Sequence, residues 1–266
     1  MYLRWHKTYE KRAAKEIQSV FQNWASNIVL SGSPYQFANQ MDAQFKDEDL
    51  IKAYVKLYLE IGVVHGKRVG KEINRSKKEF DPLFFQEAYE KYVKQYLQQF
   101  GLERVFGIRQ TFIDYLVGVI KQRAGEGLFG DSPDPSRIAT WIQQQSGSRN
   151  FYRWEALRIA RTESTAASNL GGLRAVENSG YVMEKEWVSA LDSRTRRQPK
   201  DWYDHREMDG KKIPLEEPFV MGSAKGGEDR LMFPGDPKGR ASNIINCRCT
   251  LIYKPVKGDD GLILTR

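Results

Sequence analysis

The sequence contains very little cysteine and histidine. Of its 266 residues, two are cysteine and three are histidine. A framework of several disulfides is therefore excluded, and a single bridge between Cys247 and Cys249 would close a small, strained ring. We expect both thiols to be reduced, which leaves metal binding and simple packing as their two roles.

Long hydrophobic runs are also missing. No stretch of about 18 apolar residues occurs, so a conventional membrane-spanning helix is not expected. The first residues, MYLRWHKTYEKR, include no apolar segment of the kind that a secretory signal needs. We therefore expect a soluble, intracellular protein. A net charge of +8 favours an acidic partner such as nucleic acid, although the same surplus would serve solubility alone.

Helical periodicity dominates the first two-thirds of the chain. Apolar residues recur at helical spacing over 17–28 and 50–61. A third helix is predicted to open at Asp81-Pro82, because a capping residue followed by proline is typical of a helix start. Its aromatic stripe runs from Phe85 to Phe100 and predicts a buried core face, with a base-stacking platform as the alternative.

Further helices are predicted after this stripe. A separate fourth helix is expected over 111–123, followed by the loop GEGLFGDSPDP and a short helix around Trp141. A long helix is predicted from about residue 150 to residue 179, where Gly180 would end it.

The composition changes after this long helix. Short β-prone runs, YVMEKEWVSAL and CTLIYKP, alternate with loops rich in glycine and proline. The predicted fold class is α+β, with a mainly helical N-terminal two-thirds followed by a small, loop-rich α+β C-terminal module. The predicted divisions are a helical domain at 1–135, helices leading into the module at 136–180, the module at 181–255 and a flexible tail at 256–266.

The C-terminal module contains both cysteines and one histidine, His205. Thiolate and imidazole ligands favour zinc, which prefers four tetrahedral ligands, and Asp192 is a candidate for the fourth. The pattern thus predicts a zinc site made of Cys247, Cys249, His205 and Asp192. The alternative is that the cysteines are reduced thiols at the start of a strand, where alternation turns both toward one face.

Five motifs occur together in the C-terminal half of the chain: RIARTESTAASNLGGL, WVSALDSRTRRQ, DHREMDGKKIPLEEPF, LMFPGDPKG and NCRCT. Their order and spacing over about residues 136–254 resemble the phage head morphogenesis family, the Mu F-like minor head proteins of tailed bacteriophages. The segment RQPKDWYD before His205 is longer than is usual in that family, which affects where His205 would lie relative to the cysteines.

The resemblance implies a minor capsid protein of the virion. Such a protein would lie in the capsid interior near the portal, after assembly in the cytoplasm of the host bacterium, and would assist procapsid assembly and DNA packaging or delivery. The implied partners are the portal protein, the major capsid or scaffolding protein, and packaged double-stranded DNA bound without sequence preference. The resemblance also strengthens the prediction of a structural zinc shared by His205 and the cysteines, and it implies no enzymatic activity.

The resemblance singles out four more charged residues. Arg161 and Glu163 belong to the ARTE motif, and Arg194 and Arg196 belong to the RTR motif. Arg161 and Glu163 would either form an ion pair that ties the long helix to the module or lie as a solvated pair on the helix. Arg194 and Arg196 would hold carboxylates such as Glu163, contact phosphate, or lie in a solvated basic loop.

Two other functions are consistent with parts of the sequence. A metal-dependent nuclease would use Asp204, His205 and Asn246, but it needs an open metal position and a base, and the module has no second histidine. A carrier of a prophage-encoded toxin would need an effector domain, for which the stretch after residue 255 is short. The loops GEGLFG and GSAKGG lack the lysine and hydroxyl residue of a nucleotide loop. We therefore expect a structural and interaction protein of the phage head.

Overall fold

The computed structural model describes residues 2–74, 80–129 and 134–266, with side chains from residue 7 onward. The fold class is α+β, as predicted: helices fill the N-terminal part and small antiparallel sheets follow near the C-terminus. The described elements are α1 (Tyr2–Ser26), a 3-10 turn (Pro34–Gln36), α2 (Phe37–Gln44), α3 (Asp47–Ile73), α4 (Pro82–Gly125), α5 (Pro135–Ser146), α6 (Arg153–Glu177), β1 (Met183–Val188), β2 (Lys212–Pro214), β3 (Phe219–Gly222), β4 (Glu228–Leu231), α7 (Ala241–Ile244) and β5 (Thr250–Pro255).

Helix α4 begins where the sequence predicts a helix start but continues much further. The Asp81 carboxylate accepts hydrogen bonds from the backbone N–H groups of Leu83 and Phe84, which caps the first turn. The helix then runs for 44 residues, so the prediction of separate third and fourth helices was wrong. Gly101 and Gly107 lie inside it, and glycine in a helix interior costs only about 1 kcal/mol relative to alanine, which the flanking apolar face offsets.

The chain forms two compact units, each assembled from separate stretches. One unit comprises residues 14–55 and 95–157, and the other comprises residues 1–13, 56–94 and 158–266. Each unit is therefore discontinuous in the sequence, and α1, α3, α4 and α6 each contribute residues to both units.

The core of the all-helical unit (14–55 and 95–157) is aromatic. Phe112 lies at its centre, with ring centroids 4.7 Å from Phe21 and 4.8 Å from Tyr152, and Trp24 stacks on Phe45 at 5.1 Å. Edge-to-face and stacked pairs of this kind each add about 0.5–1.5 kcal/mol beyond the burial of their area. The N–H of Trp24 is satisfied by Asp49 at 2.9 Å.

In the other unit, α3 carries three glycines at four-residue spacing, which places them on one face of the helix. Two of these glycines are covered by aromatic side chains of the stripe that the sequence predicts to be buried. A Cβ at Gly62 would meet Tyr89, and one at Gly66 would meet Phe85. Both aromatic side chains are almost fully buried. The stripe is therefore a core face, as predicted. On α6, a Cβ at Gly171 would lie 2.1 Å from the carbonyl oxygen of Gly62, so the two helix backbones touch there.

The C-terminal strands form a three-stranded antiparallel sheet in the order β2-β1-β5 and a two-stranded sheet of β3 and β4. Trp187 lies opposite Leu251 in the central pair and is fully buried. Residues 256–266, for which we expected mobility, fold back on the start of the module. The N–H of Val182 donates to Leu264, and that of Arg266 donates to Gly180.

Candidate metal centre

Three of the predicted ligands converge in the C-terminal module. The Nδ1 atom of His205 lies 3.6 Å from the Cys247 sulfur and 3.4 Å from the Cys249 sulfur. All three ligand atoms lie within 4.8 Å of one another. Each residue is at most 3% exposed. The longer segment before His205 therefore does not keep this histidine from the cysteines.

The cysteines reach this position because the chain turns sharply after α7. Asn246 has a φ of 62°, in the left-handed region that asparagine tolerates better than most residues. The turn lets the backbone N–H of Cys249 point at the Cys247 sulfur, 3.4 Å away. Strand β5 begins one residue later and pairs with β1, which fixes the direction in which both thiols face.

Helix α6 holds the backbone of this turn. The Thr162 hydroxyl accepts a hydrogen bond from the N–H of Asn246, and the Thr165 hydroxyl donates to the carbonyl of Cys247 at 2.7 Å. Asn169 donates to the carbonyl of Cys249 at 3.1 Å and accepts from the N–H of Leu251 at 3.2 Å. Residues 162, 165 and 169 share one helix face. The polar side chains of this face are buried, and they form hydrogen bonds with main-chain groups of the turn.

Arg161 and Glu163 have separate partners. Arg161 donates to the side-chain oxygen of Asn246 at 2.6 Å and pairs with Glu10 at 3.1 Å. Arg161 therefore ties α6 to the cysteine turn, through an amide rather than through a carboxylate. Glu163 accepts a hydrogen bond from the hydroxyl of Tyr58 at 2.9 Å and is buried.

Asp192 does not join the histidine and the cysteines. Its carboxylate accepts hydrogen bonds from the guanidinium of Arg248 at 2.7 Å and from the N–H of Arg194 at 3.0 Å. Burial raises the pKa of Asp192, but these contacts outweigh it and hold the pKa below its ordinary value. The side chain of Arg194 is 59% exposed, whereas the guanidinium of Arg196 donates to the carbonyl of Ile245.

The pKa values of the two thiols are shifted in opposite directions. A hydrogen bond from Cys249 lowers the pKa of Cys247 to about 7, against the opposing effect of burial, and Arg196 and Arg248 contribute to the lowering. The same hydrogen bond, together with burial, raises the pKa of Cys249 well above its ordinary value. A divalent cation would take the place of the thiol protons and stabilise both thiolates.

The geometry fits a tetrahedral metal site. Ordinary zinc–sulfur and zinc–nitrogen bond lengths at the tetrahedral angle require a sulfur–nitrogen separation of about 3.6 Å, close to the two distances found here. His205, Cys247 and Cys249 can therefore hold a metal ion. Asn243 lies 2.7 Å from the Nε2 atom of His205, on the side away from the thiols. A series of thiol, imidazole and amide also occurs in enzymes that use cysteine as the nucleophile. Burial of both thiols gives a substrate no access, which favours the metal.

Sequence reasoning missed the groups that surround these ligands. Asn243, Asp229 and Asn169 are at most 5% exposed, and each forms side-chain hydrogen bonds at the site. Asn169 lies in the motif RIARTESTAASNLGGL, whereas Asn243 and Asp229 lie outside the five motifs. The edge of the Trp187 ring packs against His205, with centroids 5.6 Å apart.

Comparisons with known proteins agree with the motif pattern. Residues 136–252 match the family described as phage Mu protein F like protein. The chain is 37% identical over 101 residues to minor head protein GP7 of Bacillus phage SPP1, which is 37% of this chain and 29% of that protein. It is 35% identical over 131 residues to the NAD(+)--arginine ADP-ribosyltransferase EFV of Enterococcus faecalis, which is 47% of this chain and 23% of that protein.

A third relative is the uncharacterized protein YqbB of Bacillus subtilis, 31% identical over 101 residues, which is 38% of this chain and 31% of that protein. The chain thus spans about a quarter to a third of the length of each of these relatives. No solved structure shows significant similarity. Within the described part of the chain, no helix is both long and apolar enough to cross a membrane. The resemblance predicted from the motifs is confirmed: residues 136–252 of the chain match the family of phage Mu protein F like proteins.

Proposed function

We propose that this protein is a minor head protein of a tailed phage, and that its C-terminal module is a small domain closed around a structural zinc ion. The observation that carries the head role is the family match over residues 136–252, together with the 37% identity to a relative named as a minor head protein. The protein lies in the capsid interior near the portal, is assembled in the host cytoplasm, and assists procapsid assembly and DNA packaging or delivery.

The helical part of the chain is the surface offered to protein partners in this proposal. On α4, Leu102 and Phe106 lie one turn apart and are each 51% exposed. Exposed apolar side chains at this spacing suit a contact with another protein. The portal protein and the major capsid or scaffolding protein are the partners that we assign to it.

The head role can be tested on particles of the phage or prophage that encodes the chain. We expect its peptides in purified heads at a few copies per particle, and we expect intact capsids to protect them from added protease. Opened capsids provide the control, because the protein should then be digested. Heads that form normally and lack the protein would contradict the proposal.

Packaged DNA is the proposed nucleic-acid partner, and residues 192–206 form the proposed contact. The carboxylates of Asp201 and Asp204 are occupied by backbone N–H groups of the same loop. Arg194, Arg197 and Lys200 remain exposed to solvent. The loop therefore presents cations outward, which is the arrangement that phosphate contacts require.

Salt dependence provides the test of DNA binding. Each phosphate contact that is lost should reduce the slope of log affinity against log salt by about 0.9. We expect Arg194→Ala and Arg197→Ala each to reduce it in a filter-binding assay with double-stranded DNA. Arg230→Ala is the matched control, because this exposed arginine is paired with Glu228 at 2.8 Å. Equal slopes in all variants would exclude the loop as the contact.

Zinc is the proposed occupant of the metal centre, with His205, Cys247 and Cys249 as ligands. Two thiolates and one imidazole are the donors that zinc prefers, and their burial suits a closed structural site rather than a catalytic one. When bound, zinc would supply a cross-link between the loop that carries His205 and the turn before β5. Because the module has short strands and long loops, such a cross-link contributes to its folding free energy.

We propose a structural rather than an enzymatic role. A metal-dependent nuclease needs an open, accessible metal position, whereas the three ligands are buried. The relative named as an ADP-ribosyltransferase shares only 23% of its length with this chain. Purified protein is therefore expected to leave double-stranded DNA uncut with added Mg²⁺ or Zn²⁺ and to release no nicotinamide from NAD. DNA cleavage or nicotinamide release by the wild type that is lost in His205→Ala would overturn the assignment of a structural role.

A further inference from the structure

A buried amide stands between His205 and a buried carboxylate. The side-chain oxygen of Asn243 lies 2.7 Å from the Nε2 atom of His205. On its other side, the Asn243 amide nitrogen donates to Asp229 at 2.9 Å. His205, Asn243 and Asp229 are at most 5% exposed, so water does not compete for these hydrogen bonds.

The carboxylate of Asp229 fixes the orientation of the amide. Asp229 also accepts hydrogen bonds from the backbone N–H of Arg240 and from the hydroxyl of Tyr203, and the Arg240 guanidinium lies 3.5 Å away. A group surrounded by donors acts as an acceptor, so the NH₂ of Asn243 must face it. The amide oxygen is then left to face His205.

This orientation has a consequence for the imidazole. An amide oxygen only accepts hydrogen bonds, so the Nε2 atom of His205 must carry a proton. In the neutral ring the lone pair is then on Nδ1, the atom that lies 3.6 Å and 3.4 Å from the two sulfurs. The lone pair therefore faces the place where a metal ion would contact both thiolates.

We infer that Asp229 and Asn243 are positioning residues, which hold His205 in the Nε2-protonated tautomer and so prepare Nδ1 as a metal ligand. The inference rests on the proposed metal site. Hydrogen bonds to the second nitrogen of a metal-binding histidine orient the ring, and their loss typically costs 10- to 100-fold in metal affinity. Asp229 acts through Asn243, and Asn243 acts through His205.

The arrangement also explains how three distant segments meet. Asn243 lies in the one-turn helix α7, Asp229 lies on β4, and His205 lies in the loop after β1. The backbone N–H of Asn243 donates to Arg240, the residue whose own N–H is bound by Asp229. The hydrogen bonds that orient the amide therefore also fix α7 against β4.

The tautomer can be measured without any metal. Long-range proton–nitrogen NMR spectra of the metal-free full chain would contain signals from three histidines, and loss of one set in His205→Gln assigns His205. We expect the Nε2-protonated pattern for His205. A spectrum with the proton on Nδ1 would overturn the inference.

Asn243→Leu removes the acceptor of the Nε2 proton with little change in side-chain size. No amide oxygen then selects between the two ring nitrogens of His205, so we expect the Nε2-protonated pattern to be lost or mixed with the Nδ1-protonated one in the NMR spectrum. We expect a 10- to 100-fold weaker zinc affinity in a chelator competition assay. Asp229→Leu removes the acceptor that orients the amide, so we expect it to shift the tautomer in the same direction.

Asn178→Leu is the matched control, because this exposed asparagine donates only to the carbonyl of Arg174 among the described contacts. Its zinc affinity should equal that of the wild type. If the wild type binds no zinc, the metal site fails while the NMR result still decides the tautomer. If zinc binds and Asn243→Leu leaves both the affinity and the tautomer unchanged, the positioning role fails while the metal site stands.

Discussion

Asn169 is expected to contribute more to stability than any single apolar contact in the module. Its amide donates to the carbonyls of Pro234 and Cys249 at 3.0 Å and 3.1 Å, and its oxygen accepts from the hydroxyl of Thr250 and from the N–H of Leu251. The side chain is 1% exposed. One residue of α6 therefore satisfies main-chain groups on two other segments.

The magnitude follows from the groups that Asn169→Ala would leave without partners. Three buried main-chain groups lose their hydrogen bonds, and each such loss costs about 1–3 kcal/mol. Alanine recovers about 0.6 kcal/mol through its higher helix propensity, and water entering the vacated space would lower the cost further. We therefore expect the free energy of unfolding to fall by about 3–5 kcal/mol.

Urea unfolding followed by tryptophan fluorescence and circular dichroism would measure this loss. Asn178→Ala, at the residue that follows α6, is the control, because it removes a single exposed hydrogen bond and should cost less than about 1 kcal/mol. A decrease below about 1 kcal/mol for Asn169→Ala would show that α6 does not hold the cysteine turn as described.

Three further changes test other parts of the fold. Burial lowers the pKa of Lys185 from 10.5 to about 8. Between these two pH values the unfolded chain binds more protons than the folded chain. The free energy of unfolding therefore rises with pH over this range, by at most about 3 kcal/mol from this group. Urea titrations at pH 8 and pH 10 should show this rise in the free energy of unfolding in the wild type and a smaller rise in Lys185→Met. An equal rise in the two proteins would contradict the prediction. Gly171→Ala would force a Cβ to 2.1 Å from the carbonyl of Gly62, so we expect a lower melting temperature by calorimetry, with a cost of about 3 kcal/mol or more. Gly118→Ala on α4 meets nothing within 4 Å and should instead stabilise by about 0.5–1 kcal/mol; a loss would show that its surroundings are not open.

Residue chemistry was sufficient to identify the three candidate ligands that lie together in the structure. Thiols and imidazoles are scarce in this chain, and the C-terminal module holds both cysteines and a single histidine, so the candidates were few. The burial of the aromatic stripe that begins at Phe85 could also be predicted, because helical periodicity indicates which face of a helix is buried. Asp192 resembled a ligand by type, but its carboxylate is engaged by Arg248, a contact between segments 56 residues apart that no local pattern records.

The supporting groups could not be predicted for the same reason. Asn243 and Asp229 are ordinary polar residues in short segments, and only the tertiary fold brings them to His205. The length of α4 was underestimated because Gly101 and Gly107 weaken the local helix signal, whereas packing along the helix outweighs that preference. Alternation within β-prone runs cannot show that residues 256–266 pair with the start of the module, since such pairing depends on distant partners.

The most direct test of the central claim is elemental analysis of the purified full chain, combined with calorimetry. We expect about one zinc per chain in the wild type, and we expect its loss, with a lower melting temperature, in Cys247→Ser and in His205→Ala. Asp192→Ala should retain the metal, because Asp192 binds Arg248 rather than the ligand group. A correctly folded wild type without zinc, with a melting temperature unchanged by a chelator, would contradict the account and leave both cysteines as packing residues.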